Sequence, residues 1–371
     1  MTSNAGRRNI EAIYPLSPMQ EGMLFHSLYA PDSGVYVEQL GCTLLGDLDV
    51  PAFERAWQRV VDRHSILRTS FLWKRLDRTL QVVQRQVRLS VAQEDWRGVS
   101  PAEQEARLED FLQADRRRGF DLARPPLIRL TLLRTADEAF RFVWSHHHAI
   151  MDGWSLPLLL KEVLACYEAF HQGRDLYLPP PRPYREYIAW LQRQDAAQAE
   201  AYWRGALQGI TAPTPLVVDG AYPRQGYAEE KGHLSAEVTA QLLMLARQRR
   251  LTLSTLVQGA WALLLGRYSG EEDVVLGATV SGRPPELPGV ETMVGLFINT
   301  LPVRVHLPAE QPVGEWLEGL QAQLVEMRQY EHIALSQVQG WSAIPRNQPM
   351  FESILVFENY PVDRALREQK G

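Results

Sequence analysis

Three of the nine histidines are consecutive, His146 to His148, and Asp152 and Gly153 follow them closely. Imidazole is the side chain that exchanges protons most readily near neutral pH. One histidine of this cluster could take a proton from an attacking amine or hydroxyl, a contribution of typically ~10²–10⁴ in rate. The pattern therefore favours general acid–base catalysis.

Two other interpretations of the cluster compete with catalysis. His146, His148 and Asp152 could supply nitrogen and oxygen ligands to a metal ion. No further Cys, His or Glu lies nearby at ligand spacing and no His-Glu-x-x-His motif is present, so the metal interpretation is weak. The cluster could also be a solvated turn, although three polar rings have no packing reason to end an apolar strand.

The elements that must position the cluster can be predicted from the flanking residues. Residues 127–133 and 140–144 are apolar and predict adjacent strands, and residues 155–170 predict the helix that follows, with Ser155 as its N-cap. The histidines thus stand where a strand ends. Segments at strand ends carry function more often than element interiors, because a rigid scaffold aims them.

Helix and strand signals alternate along the whole chain, which predicts an α/β fold. Ser17 and Ser100 each precede a proline and open a capping box, so each predicts a helix start. The other predicted strands are residues 36–45, 67–73, 80–83, 274–280 and 353–357. The other predicted helices are residues 53–61, 255–268 and 315–329.

A proline-rich stretch, residues 178–183, interrupts this alternation with four prolines in six residues. Such a stretch cannot continue a helix or a central strand, so we expect a stiff connector there. A chain of 371 residues is also long for one hydrophobic core, at roughly 150 residues per domain. Two α/β lobes that meet near residue 180 are therefore predicted.

Composition excludes several classes of function. Lys and Arg total 39 against 44 Asp and Glu, a net charge of -5, which argues against nucleic acid as the main partner. Cys42 and Cys166 cannot build a disulfide framework, so a reducing compartment is expected. The polar residues 1–11 lack a signal-peptide core, and no apolar run approaches the roughly 20 residues of a membrane span. We expect a soluble, cytoplasmic, monomeric protein.

Residues 147–153, His-His-Ala-Ile-Met-Asp-Gly, match the His-His-x-x-x-Asp-Gly motif of non-ribosomal peptide synthetase condensation domains. Other acyltransferases of the chloramphenicol acetyltransferase type share that motif. Further segments resemble condensation-domain motifs in family order: residues 63–71, 184–190 with Glu186 in place of the usual acid, 294–300, and 347–352 more loosely. The resemblance covers nearly the whole chain and places His146 outside the motif.

The resemblance implies two chloramphenicol-acetyltransferase-like lobes in a V-shaped pseudo-dimer. Residues 1–177 would form the first lobe, residues 178–183 the connector, and residues 184–371 the second lobe. A tunnel between the lobes would receive the phosphopantetheine arms of a donor and an acceptor carrier protein. Condensation domains continue beyond the region of residues 357–361, whereas this chain ends at Gly371 after a charged tail, residues 364–370. The second lobe is therefore expected to be truncated.

The motif residues take roles from the resemblance. His148 matches the histidine that deprotonates or positions the attacking amine, and His147 matches the partner that is usually buried and structural. Asp152 would form a salt bridge with Arg283 of the second lobe. Such pairing has a physical reason, because a lone carboxylate beside His148 would favour the imidazolium form and spoil a base.

Four further residues are candidates for supporting roles. Gly153 would leave room for substrate, or it is an ordinary turn glycine with positive φ. Trp154 would pack the core or line the tunnel. Ser281 and Asn299 would contact tunnel or substrate, unless Asn299 serves to satisfy backbone groups.

The implied function is peptide-bond formation with no cofactor bound by the chain itself. Expected partners are the two carrier proteins and adjacent adenylation and epimerisation domains. Residues 14–26 and Met151 resemble the subtype that joins a donor ending in a D-residue to an L-acceptor. The alternatives are a stand-alone coenzyme A- or carrier-dependent acyltransferase, and a non-catalytic carrier-docking fragment that results from the truncation.

Overall fold

The computed structural model describes residues 9–74, 76–216 and 229–359, which divide into two compact units. The first unit runs to Gln194 and returns for Pro285–Phe297, and the second comprises Asp195–Pro284 and Ile298–Glu358. Strands and helices alternate in both units, which confirms the α/β class. The lobe boundaries at 177 and 184 stay a prediction, and the charged tail at 364–370 lies outside the described residues.

The first unit contains the predicted histidine strand and the helices around it. Its strands are β1 Ile10–Pro15, β2 Val37–Leu45, β3 Thr69–Leu72, β4 Leu80–Gln84, β5 Val91–Asp95, β6 Ile128–Ala136 and β7 Ala139–His147. Its helices are α1 Pro18–Tyr29, α2 Val50–Arg63, α3 Pro101–Arg118, α4 Ser155–His171 and α5 Arg185–Leu191. The expected strand at 67–73 starts later, because Ser65–Arg68 form a 3-10 turn. The strands β1 and β5 were not predicted.

Strand β7 lies inside a four-stranded sheet of order β2-β7-β6-β5. It pairs antiparallel with β2 on one side and with β6 on the other. The pairing with β6 confirms that residues 127–133 and 140–144 are adjacent strands. A smaller sheet has the order β1-β4-β3. Because β7 is hydrogen-bonded along both edges, its end is a rigid point from which to present side chains.

Aromatic packing holds β7 against helix α2. Trp57 of the helix meets Trp144 of the strand edge-to-face with ring centroids 4.8 Å apart, and Phe53 meets Phe142 at 5.2 Å. Both tryptophans are fully buried. Edge-to-face aromatic pairs add about 0.5–1.5 kcal/mol beyond the area that they bury. The strand that carries the histidines is thus fixed from its face as well as from its edges.

The start of the proline-rich stretch is fastened to the first unit by Arg63. This guanidinium bonds both carboxylate oxygens of Glu162, at 3.0 and 3.2 Å, and donates to the carbonyls of Leu178 and Pro179. His64 Nε2 lies 2.8 Å from the same carboxylate. Although burial raises the pKa of Glu162, the hydrogen bonds from His64 and Arg63 outweigh it and lower that pKa to about 2. The connector therefore starts from a fixed point.

The second unit is built around a short sheet of order β10-β8-β9. Its strands are β8 Asp273–Val280, β9 Asn299–His306 and β10 Ile354–Leu355, and its helices are α6 Ala196–Ala206, α7 Ala236–Arg249, α8 Leu253–Ser269, α9 Val313–Met327 and α10 Leu335–Trp341. The buried residues along β8 confirm a strand covered on both faces. The strand predicted at 353–357 is wrong in extent, because its pairing with β8 spans only Gly277 and Ala278.

The segment 285–297 packs on the first unit through Tyr184. The Tyr184 ring is buried, its hydroxyl donates to the Leu296 carbonyl at 2.5 Å, and Phe297 meets it edge-on with centroids 5.3 Å apart. A Cβ on Gly295 would lie 2.2 Å from the Tyr184 ring. Glycine is therefore required at 295 because the ring approaches the backbone so closely.

We expect Gly295→Ala to lower the free energy of unfolding by roughly 1–3 kcal/mol, as overpacked cores do. Gly22 is the matched control, since it lies in α1 with no atom within 4 Å of an added Cβ. Gly22→Ala should stabilise the protein by about 0.5–1 kcal/mol. Urea unfolding midpoints of the two variants test this, and equal midpoints would contradict it.

Candidate active site

The histidine cluster straddles the end of β7. His146 and His147 are the last two residues of the strand, and His148 begins a single 3-10 turn, His148–Ile150. The His148 amide donates to the Tyr36 carbonyl at 2.8 Å, so the chain remains tied to the neighbouring segment after the strand ends. The cluster lies at a strand end, as the sequence predicted.

His146 is buried and has no hydrogen-bond partner for its Nδ1 among the described residues. Burial, reinforced by the neighbouring histidines, lowers its pKa to about 3. A ring that is 4% exposed and has so low a pKa is too weak a base to take a proton from substrate near neutral pH. The position of His146 outside the motif is thus matched by an environment unsuited to catalysis.

His147 is 2% exposed and has partners on both ring nitrogens. Its Nδ1 accepts from the Ala149 amide at 3.2 Å, so the ring hydrogen must be on Nε2, which lies 3.1 Å from Ser27 Oγ. The Ser27 hydroxyl in turn donates to the Met23 carbonyl at 2.8 Å. Burial, followed by the nearby His148, lowers the pKa of His147 to about 4. His147 is therefore a neutral ring with one defined tautomer.

His148 is half-buried, and its Nδ1 lies 2.9 Å from the Met151 carbonyl oxygen. Because a carbonyl only accepts, Nδ1 must carry the hydrogen and Nε2 must carry a lone pair. Within the described ranges Nε2 has no hydrogen-bond partner. The backbone thus sets His148 in the tautomer that a proton acceptor needs.

The carboxylate of Asp152 is 1% exposed and is bonded to the backbone on both sides. Its Oδ1 lies 3.2 Å from the Ser155 amide and 3.1 Å from the Ser155 hydroxyl, and its Oδ2 accepts from the Phe297 amide at 2.9 Å. The Asp152 amide donates to the Gly295 carbonyl. Asp152 therefore joins the histidine turn to the segment 285–297. Its pairing with Arg283 stays a prediction.

The prediction that Ser155 caps helix α4 is wrong. Trp154 is the N-cap residue and makes no side-chain capping bond, while Ser155 is the first helical residue. Its hydroxyl lies within hydrogen-bond distance of Asp152 and of the Gly295 backbone, and these contacts take precedence over a cap. Gly153 and Trp154 form a half-buried turn, and Gly153 is not among the left-handed glycines of the described residues.

Three predicted residues belong to the second unit. Ser281 is exposed just after β8, and Arg283 is half-buried two residues later. Asn299 is buried at the start of β9, and its amide group donates to the carbonyls of Glu331 and Ile333 at 2.8 and 2.6 Å. Asn299 therefore satisfies backbone groups, one of its two predicted roles. Its contact with substrate stays a prediction, as do those of Trp154 and Ser281.

Three residues that support the histidines were not predicted to do so. Gln20 is buried, and its Nε2 donates to the Ala149 carbonyl at 3.0 Å. Tyr36 adopts a left-handed backbone, φ 63°, which costs of order 1–3 kcal/mol and aims its carbonyl at His148. Ser27 holds His147. The sequence carried a signal for two of them. Gln20 and Ser27 are polar, and their spacing places them on the same helix face as the apolar Met23 and Leu24.

The described residues contain no group of three or more His, Cys, Asp or Glu side chains that could hold a metal ion. Among the helices of the described ranges, none has the length and apolar character of a membrane span.

Comparisons with known proteins identify the family. The family model of the condensation domain matches residues 10–371. A linear gramicidin synthase of Brevibacillus parabrevis is 52% identical over 368 residues, which is 98% of this chain and 5% of that protein. Bacitracin synthase 3 of Bacillus licheniformis is 39% identical over 367 residues, 98% of this chain and 6% of that protein. The chain thus spans about a twentieth of the length of these curated relatives.

Solved structures share the fold. The starter condensation domain of rhizomide synthetase has a TM-score of 0.78 at 22% identity and covers 93% of this chain and 78% of its own. The first condensation domain of the calcium-dependent antibiotic synthetase has a TM-score of 0.78 at 19% identity, with 94% and 82% covered. At such identities the likeness concerns the fold alone.

The chain belongs to the condensation-domain family of non-ribosomal peptide synthetases. Condensation domains are amide-forming acyltransferases that bind no cofactor themselves, because their substrates arrive on the phosphopantetheine arms of carrier domains. They work with carrier and adenylation domains in synthetase modules. The fold and the family predicted from the sequence are both confirmed.

The lowered pKa of His147 predicts acid sensitivity. Between pH 6.5 and about 4 the unfolded chain binds a proton at His147 that the folded chain does not, so the free energy of unfolding falls as pH is lowered through this range. The loss should be about 3 kcal/mol. Urea unfolding from pH 7 to pH 4 should therefore show a shallower decline for His147→Asn than for the wild type. Parallel declines would contradict this.

Removal of the Asp152 carboxylate should damage the fold as well as the rate. Asp152→Ala removes the carboxylate oxygen that accepts from the buried Phe297 amide, at about 1–3 kcal/mol, whereas the Ser155 amide keeps the Asp152 backbone carbonyl as an acceptor. We expect lower soluble yield and a lower unfolding midpoint, with a smaller loss for Asp152→Asn. Asp137→Ala is the control, since that side chain is 85% exposed. A fully stable Asp152→Ala protein with only a rate defect would contradict the structural role.

Proposed function

We propose that this chain catalyses peptide-bond formation between two carrier-bound substrates. The amine of an acceptor aminoacyl thioester attacks the carbonyl of a donor acyl or peptidyl thioester. A carbon–nitrogen bond forms, the carbon–sulfur bond breaks, and the donor arm leaves as a thiol while the amine loses a proton. Membership of the condensation-domain family supports this reaction.

The observation that carries the proposal is the orientation of His148. Its Nδ1–H is directed at the Met151 carbonyl, which leaves the lone pair of Nε2 for substrate. An α-amino group has a pKa of about 7.7–8.0 and is largely protonated at neutral pH. An acceptor that takes a proton from the amine, or holds the neutral amine against the thioester, makes it a nucleophile. Both roles use the same lone pair.

The surroundings of His148 favour this role electrostatically. Burial keeps His146 and His147 uncharged, so no cation stands beside His148 in the sequence. The Asp152 carboxylate is engaged by the Ser155 and Phe297 backbone amides.

The remaining assignments are proposed from the resemblance of the sequence motifs. His147, Asp152, Gly153 and Arg283 support the site, and Trp154, Ser281 and Asn299 are the candidate contacts with tunnel or substrate. Partners are a donor and an acceptor carrier protein with neighbouring adenylation and epimerisation domains. The donor ends in a D-residue, and the domain acts as a monomer. Its compartment is the cytoplasm, in keeping with two free thiols.

Intact-mass measurement of an acceptor carrier tests the proposal. The acceptor carries an aminoacyl thioester, and donor carriers carry a peptidyl thioester that ends in either a D- or an L-residue. The acceptor mass should rise by the donor acyl group, faster with the D-donor. His148→Ala should lower the rate by roughly 10²–10⁴.

Two amide variants separate the roles of the two ring nitrogens. His148→Asn keeps a donor toward Met151 but lacks the acceptor at Nε2, so it should be as slow as His148→Ala. His148→Gln keeps an acceptor that is not basic. Substantial rate in His148→Gln indicates that the amine is held, whereas loss as complete as in His148→Ala indicates proton transfer.

A coenzyme A donor tests the second candidate function. The similar starter condensation domain of rhizomide synthetase was solved with C8-CoA and Leu-SNAC, which favours including this donor. A mass gain from coenzyme A donors alone would replace the proposal with a coenzyme A-dependent acyltransferase. No gain from any donor would overturn catalysis and favour a carrier-docking fragment.

A further inference from the structure

A chain of hydrogen bonds leads from helix α1 to the histidine pair. The Ser27 hydroxyl donates to the Met23 carbonyl one helical turn earlier, at 2.8 Å, and its oxygen lies 3.1 Å from His147 Nε2. The Ala149 amide donates to His147 Nδ1 at 3.2 Å. The Ser27 hydroxyl and the neutral His147 ring each have one polar hydrogen to donate. Because the Met23 carbonyl can only accept, it fixes the direction of every bond in the chain.

This chain determines the tautomer of a buried ring. With its single hydrogen used toward Met23, Ser27 Oγ can only accept from His147, which requires hydrogen on Nε2. Nδ1 is then a free acceptor for the Ala149 amide. The turn that receives this bond, His148–Ile150, is the same turn that presents His148.

Loss of the hydroxyl would leave His147 with two unfavourable choices. The ring could keep hydrogen on Nε2 and bury that donor without an acceptor. It could instead move the hydrogen to Nδ1, which would then oppose the Ala149 N–H, donor against donor. The second choice displaces Ala149 and with it the adjacent His148.

We infer that Ser27 is a positioning residue that acts through His147 to hold the turn of His148, an inference that rests on the proposed function. Ser27 is half-buried in α1, and its hydroxyl is a suitable group for the task because it both donates and accepts. Helix formation does not explain a serine there, because serine is a weaker helix former than alanine. The requirement lies in its bond to His147.

The direct test is nitrogen-15 NMR of histidine-labelled protein, because protonated and unprotonated ring nitrogens resonate in separate ranges. The signals of His147 are assigned by their absence in His147→Asn. The wild type should give hydrogen on Nε2, and Ser27→Thr, which keeps the hydroxyl, should give the same. Ser27→Ala should move the hydrogen to Nδ1 or give a mixture.

Kinetics separate positioning from general stability. In the carrier assay Ser27→Ala should lower kcat roughly tenfold and leave KM within about twofold, since the loss concerns His148 and not substrate binding. Ser27→Thr should restore the rate. Thr239→Ala is the matched control: it removes a hydroxyl with the same bond to a carbonyl one turn earlier, that of Ser235, and should leave kcat unchanged.

A double variant completes the test. His147→Asn keeps an acceptor for the Ala149 amide but has no Nε2, so Ser27→Ala should cause no further loss of kcat in that background. An unchanged His147 tautomer in Ser27→Ala, or equal losses in both backgrounds, would overturn the inference. If the wild type forms no peptide bond, the proposed function fails, whereas the NMR result still decides the tautomer.

Discussion

The buried carboxylate of Asp152 is the constraint on which the arrangement of the site depends. A charge with 1% exposure is tolerable only when hydrogen bonds replace its water, and here the amides of Ser155 and Phe297 do so. These amides come from the start of a helix and from a segment more than a hundred residues later in the chain. Satisfying one carboxylate therefore fixes three pieces of backbone at once, and the histidine turn is one of them.

Environment gives three identical side chains three different properties. His146 is buried with Nδ1 unbonded among the described residues, His147 is buried with partners on both nitrogens, and His148 is half-buried with one nitrogen held by the Met151 carbonyl. Burial penalises the charged form of the first two and lowers the pKa of each. Strand β7 ends at His147 and a 3-10 turn begins at His148, so the proton acceptor is proposed at the residue where the extended backbone stops.

Much of the fold and the centre of the site could be predicted from sequence, because they rest on local patterns. Apolar periodicity predicted β7 and its partner β6, and the capping box at Ser17 predicted helix α1. Contacts between distant segments left weaker signals. The roles of Ser27 and Gln20 depend on where helix α1 lies in the fold. A serine near the start of a helix suggests a cap, but the hydroxyl of Ser155 bonds the buried Asp152 carboxylate instead. The left-handed Tyr36 has no sequence signal, since aromatic residues rarely adopt positive φ.

The attachment of helix α1 to the histidine turn has a consequence for the engineering of synthetases. Gln20 supports Ala149, Ser27 faces His147, and Tyr36 accepts from His148, while Phe25 and Tyr29 of the same segment are exposed. Residues 17–36 thus combine an interior side that contacts the histidine motif with an outer side that is exposed. In a chimaera whose crossover falls between this segment and the histidines, residues 17–36 and the histidine turn would come from two different parents. A crossover before residue 17 would take both from the same parent.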